Sequence, residues 1–211
     1  GAEIDAIQTV DGGVFEVRLT DPADNKGGTG YLDAANVAQQ GNTTQITLSN
    51  TDGRLSSQYV GMAIYLTTGV GAGQYAYIDT YNSGTKIATV KKMSDDTAGW
   101  DHVTGVAIEA TLNDTTNYSI EPRVTFAAPS SGLYADTAKG RATVSDGAIT
   151  MISIWDPGTG YTTAPVLTTT DPNNTVDVPH TVRIGNGVLK QPTWTSRGSG
   201  FVTASAELTG D

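Results

Sequence analysis

The sequence predicts an all-β fold, with antiparallel sandwich-like or small-barrel sheets built from internal repeats and arranged in two lobes. Three observations predict it. The apolar segments are dominated by β-branched residues, and the 211 residues include 25 Gly, leaving little of the Leu/Glu/Lys/Ala texture of helices. Short alternating runs are punctuated by turn dipeptides. A unit of about 40 residues recurs along the chain, and a recurring unit governs the reading of everything else.

The recurrence is seen when Gly147 is set against Gly187. DGAITMISIWDPGTGYTTAP (146–165) then lies over NGVLKQPTWTSRGSGFVTAS (186–205) without a gap. Gly158 and Gly160 meet Gly198 and Gly200, and Tyr161 meets Phe201. A weaker copy, YSIEPRVTF (118–126), lies over YTTAPVLTT (161–169), with Tyr118 and Pro122 in the places of Tyr161 and Pro165. Another, at 11–37, carries the corner Gly28-Thr29-Gly30-Tyr31 after a few extra residues.

Each part of the unit has a physical role. Asp146-Gly147 and Asn186-Gly187 are signals for type I′ hairpins, since both residues tolerate positive φ; the strands before and after each are expected to pair. The later strand runs into Gly-x-Gly, which permits a sharp bend, and the aromatic that follows folds over it as a core plug. Gly28, Gly30, Tyr31, Gly158, Gly160, Tyr161, Gly198, Gly200 and Phe201 are thus read as structural corners. A catalytic loop is needed once, whereas a corner is needed in every copy. Along 148–155, Ile152 and Ile154 are expected to face inward and Trp155 outward. Pro192, in the second copy, cannot donate to a ladder and implies an edge or a bulge.

Residues 41–117 differ in character and form a second module. TTQITLSN (43–50) alternates, and strands are expected at 62–68, 74–81 and 86–92, with GVGAG (69–73) and NSGT (82–85) as hairpin loops. A polar connection holding Trp100 follows, and then a further strand at 104–112. The organisation expected is an N-terminal β unit (1–40) docked on a repeat lobe, the 41–117 module, and tandem repeats over 118–211.

YVGMAIYLTTGVGAGQYAYIDTYNSGTKIATV (59–90) resembles a module of bacteriophage tail-fibre and baseplate proteins. The GSGYTxAP-type units resemble repeats of virion structural proteins from tailed phages. The last unit departs from that pattern, with Arg197-Gly198-Ser199-Gly200-Phe201 and no Pro after it. The resemblance implies a non-enzymatic β-rich building block of a tail, baseplate or fibre, located in the virion and oligomeric there, with other virion proteins as partners. Two other classes fit the residues. One is a carbohydrate- or receptor-binding module facing a host surface glycan; the other is a polysaccharide depolymerase.

Charge and chemistry narrow the field. With 22 acidic and 12 basic residues the formal net charge is −10, so no basic stripe exists to neutralise phosphates or anionic lipid; neither nucleic acid nor membrane is an expected partner. No apolar run approaches the ~20 residues of a membrane span. The chain opens on Gly1, and a piece of a longer protein is expected. Without Cys there is neither a thiol nucleophile nor a thiolate metal site. His102 and His180 lack spaced partners, GVGAGQ (69–74) has Gln74 in place of the third Gly of a dinucleotide loop, and DPADN (21–25) and DPNN (171–174) read as Asx turns. No catalytic residue, metal or cofactor is therefore assigned. Trp155, Tyr75, Tyr77 and Tyr81 are singled out as a contact or glycan surface.

Overall fold

A computed structural model of the chain describes residues 3–6, 9–10, 12–19, 31, 33–103, 111–129, 135–174, 180–184, 188–189 and 193–196. Strands make up 53% of it, and among the described residues every ladder is antiparallel and no sheet closes into a barrel. Among the described residues the only helical piece is a single 3-10 turn, Ser56–Gln58. The all-β, antiparallel expectation holds. The first three strands, β1 (Glu3–Ala6), β2 (Thr9–Val10) and β3 (Val14–Leu19), lie against the C-terminal part of the chain.

The next nine strands form one sheet. They are β4 (Ala34–Val37), β5 (Gln40–Asn42), β6 (Gln45–Thr47), β7 (Ala63–Thr68), β8 (Gln74–Asn82), β9 (Ile87–Lys91), β10 (Asp101–His102), β11 (Thr111–Leu112) and β12 (Asn117–Glu121). Their order is β11-β5-β6-β9-β8-β7-β12-β4, with β10 added to β8. The expected strands at 62–68, 74–81 and 86–92 appear as β7, β8 and β9. The sheet starts at Ala34 and runs to Glu121, so it extends beyond 41–117 at both ends. The β7–β8 turn needs glycine: Gly69 has φ +80, and a Cβ there would lie 1.8 Å from the Thr115 carbonyl oxygen. The β8–β9 turn is held by Asn82, whose Oδ1 accepts from the Gly84 and Thr85 N–H groups.

One face of this sheet closes over Ile46, Leu48, Tyr59, Met62, Ile64, Ile78, Tyr118 and Ile120. Trp100, expected in a polar connection, belongs to the same core at 1% exposure; its indole N–H donates to the Asn42 carbonyl and ties the 95–100 loop to β5. The opposite face is covered too. Ala63, Ile64, Tyr65 and Leu66 are buried in succession along β7, the mark of a strand packed on both sides.

What covers that face is the second lobe, formed by β13 (Arg123–Phe126), β14 (Lys139–Ser145), β15 (Ala148–Asp156), β16 (Leu167–Thr170), β17 (His180–Ile184), β18 (Val188–Leu189) and β19 (Thr193–Ser196). β14 and β15 pair across Asp146-Gly147, whose φ values of 53° and 74° are those of the expected type I′ turn. A register shift between Thr143/Val144 leaves Thr150 unopposed, so Ile149 and Ile152 both reach the core. The look-alike segments 118–126 and 161–169 meet here: β13 pairs with β16, Phe126 opposite Leu167.

The second repeat behaves differently from the first. Its strands fall at the offset positions, but β17 and β18 do not pair with each other. β17 pairs with β3, β18 with β2 and β19 with β1. The pairings run in one direction, from Glu3 opposite Ser196 to Leu19 opposite His180, with register shifts at Glu3/Ile4, Ile4/Ala6 and Arg183/Ile184. The hairpin expected at Asn186-Gly187 would pair β17 with β18; among the described residues these strands pair with the N-terminal segment instead, and the turn itself lies outside the described residues. Residues 185–187, Pro192 and most of 104–112 lie outside the described residues.

Candidate functional site

The corner at 157–161 joins three parts of the chain. Gly158 has φ +64, and a Cβ on it would come within 2.5 Å of the Asp136 carbonyl oxygen. Pro157 O accepts from the Val14 N–H at 2.7 Å, and the Tyr161 N–H donates to Gly12 O at 2.9 Å, so the N-terminal segment docks directly on the bend. The Tyr161 ring is 4% exposed; its hydroxyl accepts from the Ala138 N–H and donates to the Ala127 carbonyl, both at 3.0 Å. Tyr31 enters the same core, beside Val14, Ile149 and Leu167, and its N–H donates to Gly147 O at 2.8 Å. Gly160 has φ +84. Gly28, Gly30, Gly198, Gly200 and Phe201 lie outside the described residues.

The Tyr161 hydroxyl can be tested. Tyr161→Phe keeps the ring but strands the Ala138 N–H and the Ala127 carbonyl, and is expected to cost about 2 kcal/mol. A denaturant titration showing the parent midpoint would mean that water replaces both bonds.

A second cluster lies where the lobes meet. Trp155, at the end of β15, is edge-on to Tyr75 of β8 at 5.4 Å between ring centroids and to Tyr65 of β7 at 6.1 Å. Tyr65 and Tyr75 are themselves stacked at 6.3 Å. Arg141 of β14 lies 4.5 Å over the Tyr65 ring, donates to Glu121 Oε2 at 2.7 Å and, through Nη2, to Glu121 Oε1 and to Ser119 Oγ. The pair holds its guanidinium even more firmly protonated than usual. Beside it, Arg123 lies 4.3 Å over Tyr77, whose hydroxyl donates to Asp96 at 2.8 Å. Lys139 bonds Asp156 at 2.7 Å, with Asp136 at 3.8 Å. Burial pulls the Asp156 carboxyl upward, but the Lys139 ammonium and the Gly158 N–H outweigh it and hold the acid below its ordinary range.

The aromatic residues singled out from the sequence therefore separate. Trp155 and Tyr75 meet, and Tyr77 lies along the same face of β8. Tyr81 does not belong with them: it is 5% exposed and packs edge-on against Tyr59 in the first core. The reason is a bulge. The β8–β9 register shifts between Ile78 and Thr80, so Asp79 is unopposed and Ile78 and Tyr81 share a face despite their odd spacing. Tyr75 is also buried, at 7%, beneath Trp155. Tyr65, Arg123, Arg141 and Glu121 went unseen in the sequence. The only hint was the unbroken apolar run Ala63–Leu66, which signals a face covered from outside.

Two cavities flank Trp155. One, of 340 Å³, lies against Tyr75, Arg123, Asp136 and Lys139; the other, of 320 Å³, lies against Tyr65, Gln74, Val103 and Arg141. The remaining polar loops serve the fold. Asp101 accepts from the Met93 and Ser94 N–H groups, Asp95 from Thr97, and Asp171 from Asn173 in an Asx turn. DPADN (21–25) lies outside the described residues. His102 stands exposed on β10, and GVGAGQ forms the β7–β8 turn. Among the described residues no group of three or more His, Cys, Asp or Glu side chains is placed to hold a metal ion.

The chain is thus an all-β protein with two apolar cores locked face to face through a cation–aromatic seam. Compared with protein-family models, curated proteins and solved structures, it matches none.

Proposed function

We propose that the chain is a non-enzymatic structural component of a phage tail, baseplate or tail fibre, acting in the virion as a rigid β scaffold that offers interfaces to neighbouring subunits. The supporting observation is how the recurring corner is used. At 157–161 its backbone and its Tyr161 hydroxyl turn inward and join the N-terminal segment, β13 and β14 into one body. Rigidity continues into the other lobe, because β12 passes into β13 through the single residue Pro122. The resemblance of 59–90 and of the GSGYTxAP-type units to tailed-phage proteins supplies the setting.

In this reading the load is carried by antiparallel ladders and two packed cores, and free sheet edges are the interfaces. Among the described residues β4 closes one edge of the nine-stranded sheet and presents Val37 at 39% exposure, and β11 closes the other. Unpaired strand edges invite a further strand, and a neighbouring subunit would cover them. The test is immunogold electron microscopy, with an antibody against this chain, on phage particles purified from its source. Label on tails, baseplates or fibres is the expected result. Label confined to cell lysate, with bare particles, overturns the proposal.

A further inference from the structure

Trp155 is 39% exposed although both rings it touches are 7% exposed, so an indole anchored by two buried tyrosines is left open toward solvent. It is also the wall shared by the two cavities at the seam. The larger, at 340 Å³, falls in the range of small-molecule sites, roughly 300–1,000 Å³. Its polar lining mixes signs: Asp96 and Asp136 with Arg123 and Lys139, along with Ser94 and Thr137. Two acids and two bases cancel formally, which disfavours a strongly charged ligand of either sign. The Arg123 Nε itself is buried, so the guanidinium can reach the cleft only through its terminal nitrogens.

A sugar ring has the complementary pattern. Its C–H face is apolar and packs flat on an aromatic surface, while each rim hydroxyl both donates and accepts. Carboxylates take the donated protons, and ammonium or guanidinium groups meet the oxygens with charge-assisted bonds. We propose that the cleft binds a neutral oligosaccharide, with one ring on Trp155 and its hydroxyls directed to Asp136, Lys139, Asp96 and Arg123. The 320 Å³ cavity across the same indole gives room for an adjoining residue, bounded by Gln74, Val103 and Arg141. This goes beyond the scaffold reading and does not depend on it, since a rigid virion part and a protein of another origin could both carry such a cleft.

The experiment uses the whole chain, an array of neutral and acidic oligosaccharides, and titration of each hit followed by tryptophan fluorescence. Neutral glucose-, galactose-, mannose- or N-acetylhexosamine-based oligomers are expected to bind, with affinity falling about tenfold or more in Trp155→Ala. Asp136→Ala, at a side chain 61% exposed, keeps the seam intact and is expected to weaken binding several-fold with an unchanged melting curve. Should Trp155→Ala fail to fold, the Asp136 variant decides. The proposal is overturned if no neutral oligosaccharide binds at millimolar concentration, if only acidic glycans bind, or if Asp136→Ala or a folded Trp155→Ala binds as the parent does.

Discussion

Raising the pH beyond about 10 is expected to unfold the chain cooperatively, well before its core tyrosines can ionise in place. Burial pushes the phenols of Tyr81 and Tyr118 up to about 12. Burial also raises Tyr59 and Tyr65 strongly; at Tyr59 the carboxylate of Asp52, which accepts its hydroxyl proton, adds to the effect, and at Tyr65 the charge of Glu121 does. The sign follows from linkage. Each folded pKa lies above the ordinary 10.0, so the stability these groups contribute is whole below pH 10. It is lost as pH rises from there through the folded values, because the unfolded chain releases protons that the folded one retains. Each such group costs about 1.4 kcal/mol per pH unit across that window, and four together cost on the order of 5 kcal/mol per unit. That is comparable with the whole stability of an ordinary domain. Tyrosinate absorbance should therefore rise in one step, coincident with loss of the β circular dichroism signal. Gradual ionisation of all nine tyrosines near pH 10 with the fold intact would show that these rings are solvated.

The same rings show where the sequence was legible. Turns whose cause is local were readable: Asp146-Gly147, the glycines of 69–73 and the Asn82 turn each follow from what one or two residues tolerate. Strands β7, β8 and β9 were readable because alternation and turn signals agree over a long stretch. Bulges were not. Whether Asp79 or Thr150 is left unopposed depends on the register of the partner strand, so plain alternation would put Tyr81 on the face of Tyr75 and Tyr77, where it does not lie. Nor were the pairings of β1, β2 and β3 with β19, β18 and β17, the longest-range in the described chain; the local hairpin signal at Asn186-Gly187 pointed elsewhere. The seam fails to show for a related reason. Arg141 meets Glu121 only because β14 and β12 belong to different lobes that face each other, and nothing in either strand announces its partner.

Removing that arginine is the second large effect expected. Arg141→Met keeps most of the aliphatic contact with Tyr65 but leaves Glu121, 7% exposed, as a carboxylate between two lobes with no countercharge. Breaking a buried pair from one side costs about 3–5 kcal/mol; with the Arg141 side chain 37% exposed, water can reach the site in part, and about 2–3 kcal/mol is expected. The double variant Glu121→Leu/Arg141→Met removes both charges, and should recover most of the loss, since an apolar pair fits a seam already lined by Tyr65, Tyr75 and Trp155. A double-mutant cycle in denaturant, with Glu121→Leu as the other single variant, should then give a coupling above about 1 kcal/mol. Additive losses, or an Arg141→Met protein within about 0.5 kcal/mol of the parent, would mean that the pair is solvated like a surface bridge. In that case the lobes would be held by the aromatic contacts, the Arg123–Tyr77 contact, the Asn173–Gln58 hydrogen bond and the Pro122 connection, and the seam would be a place where they can part.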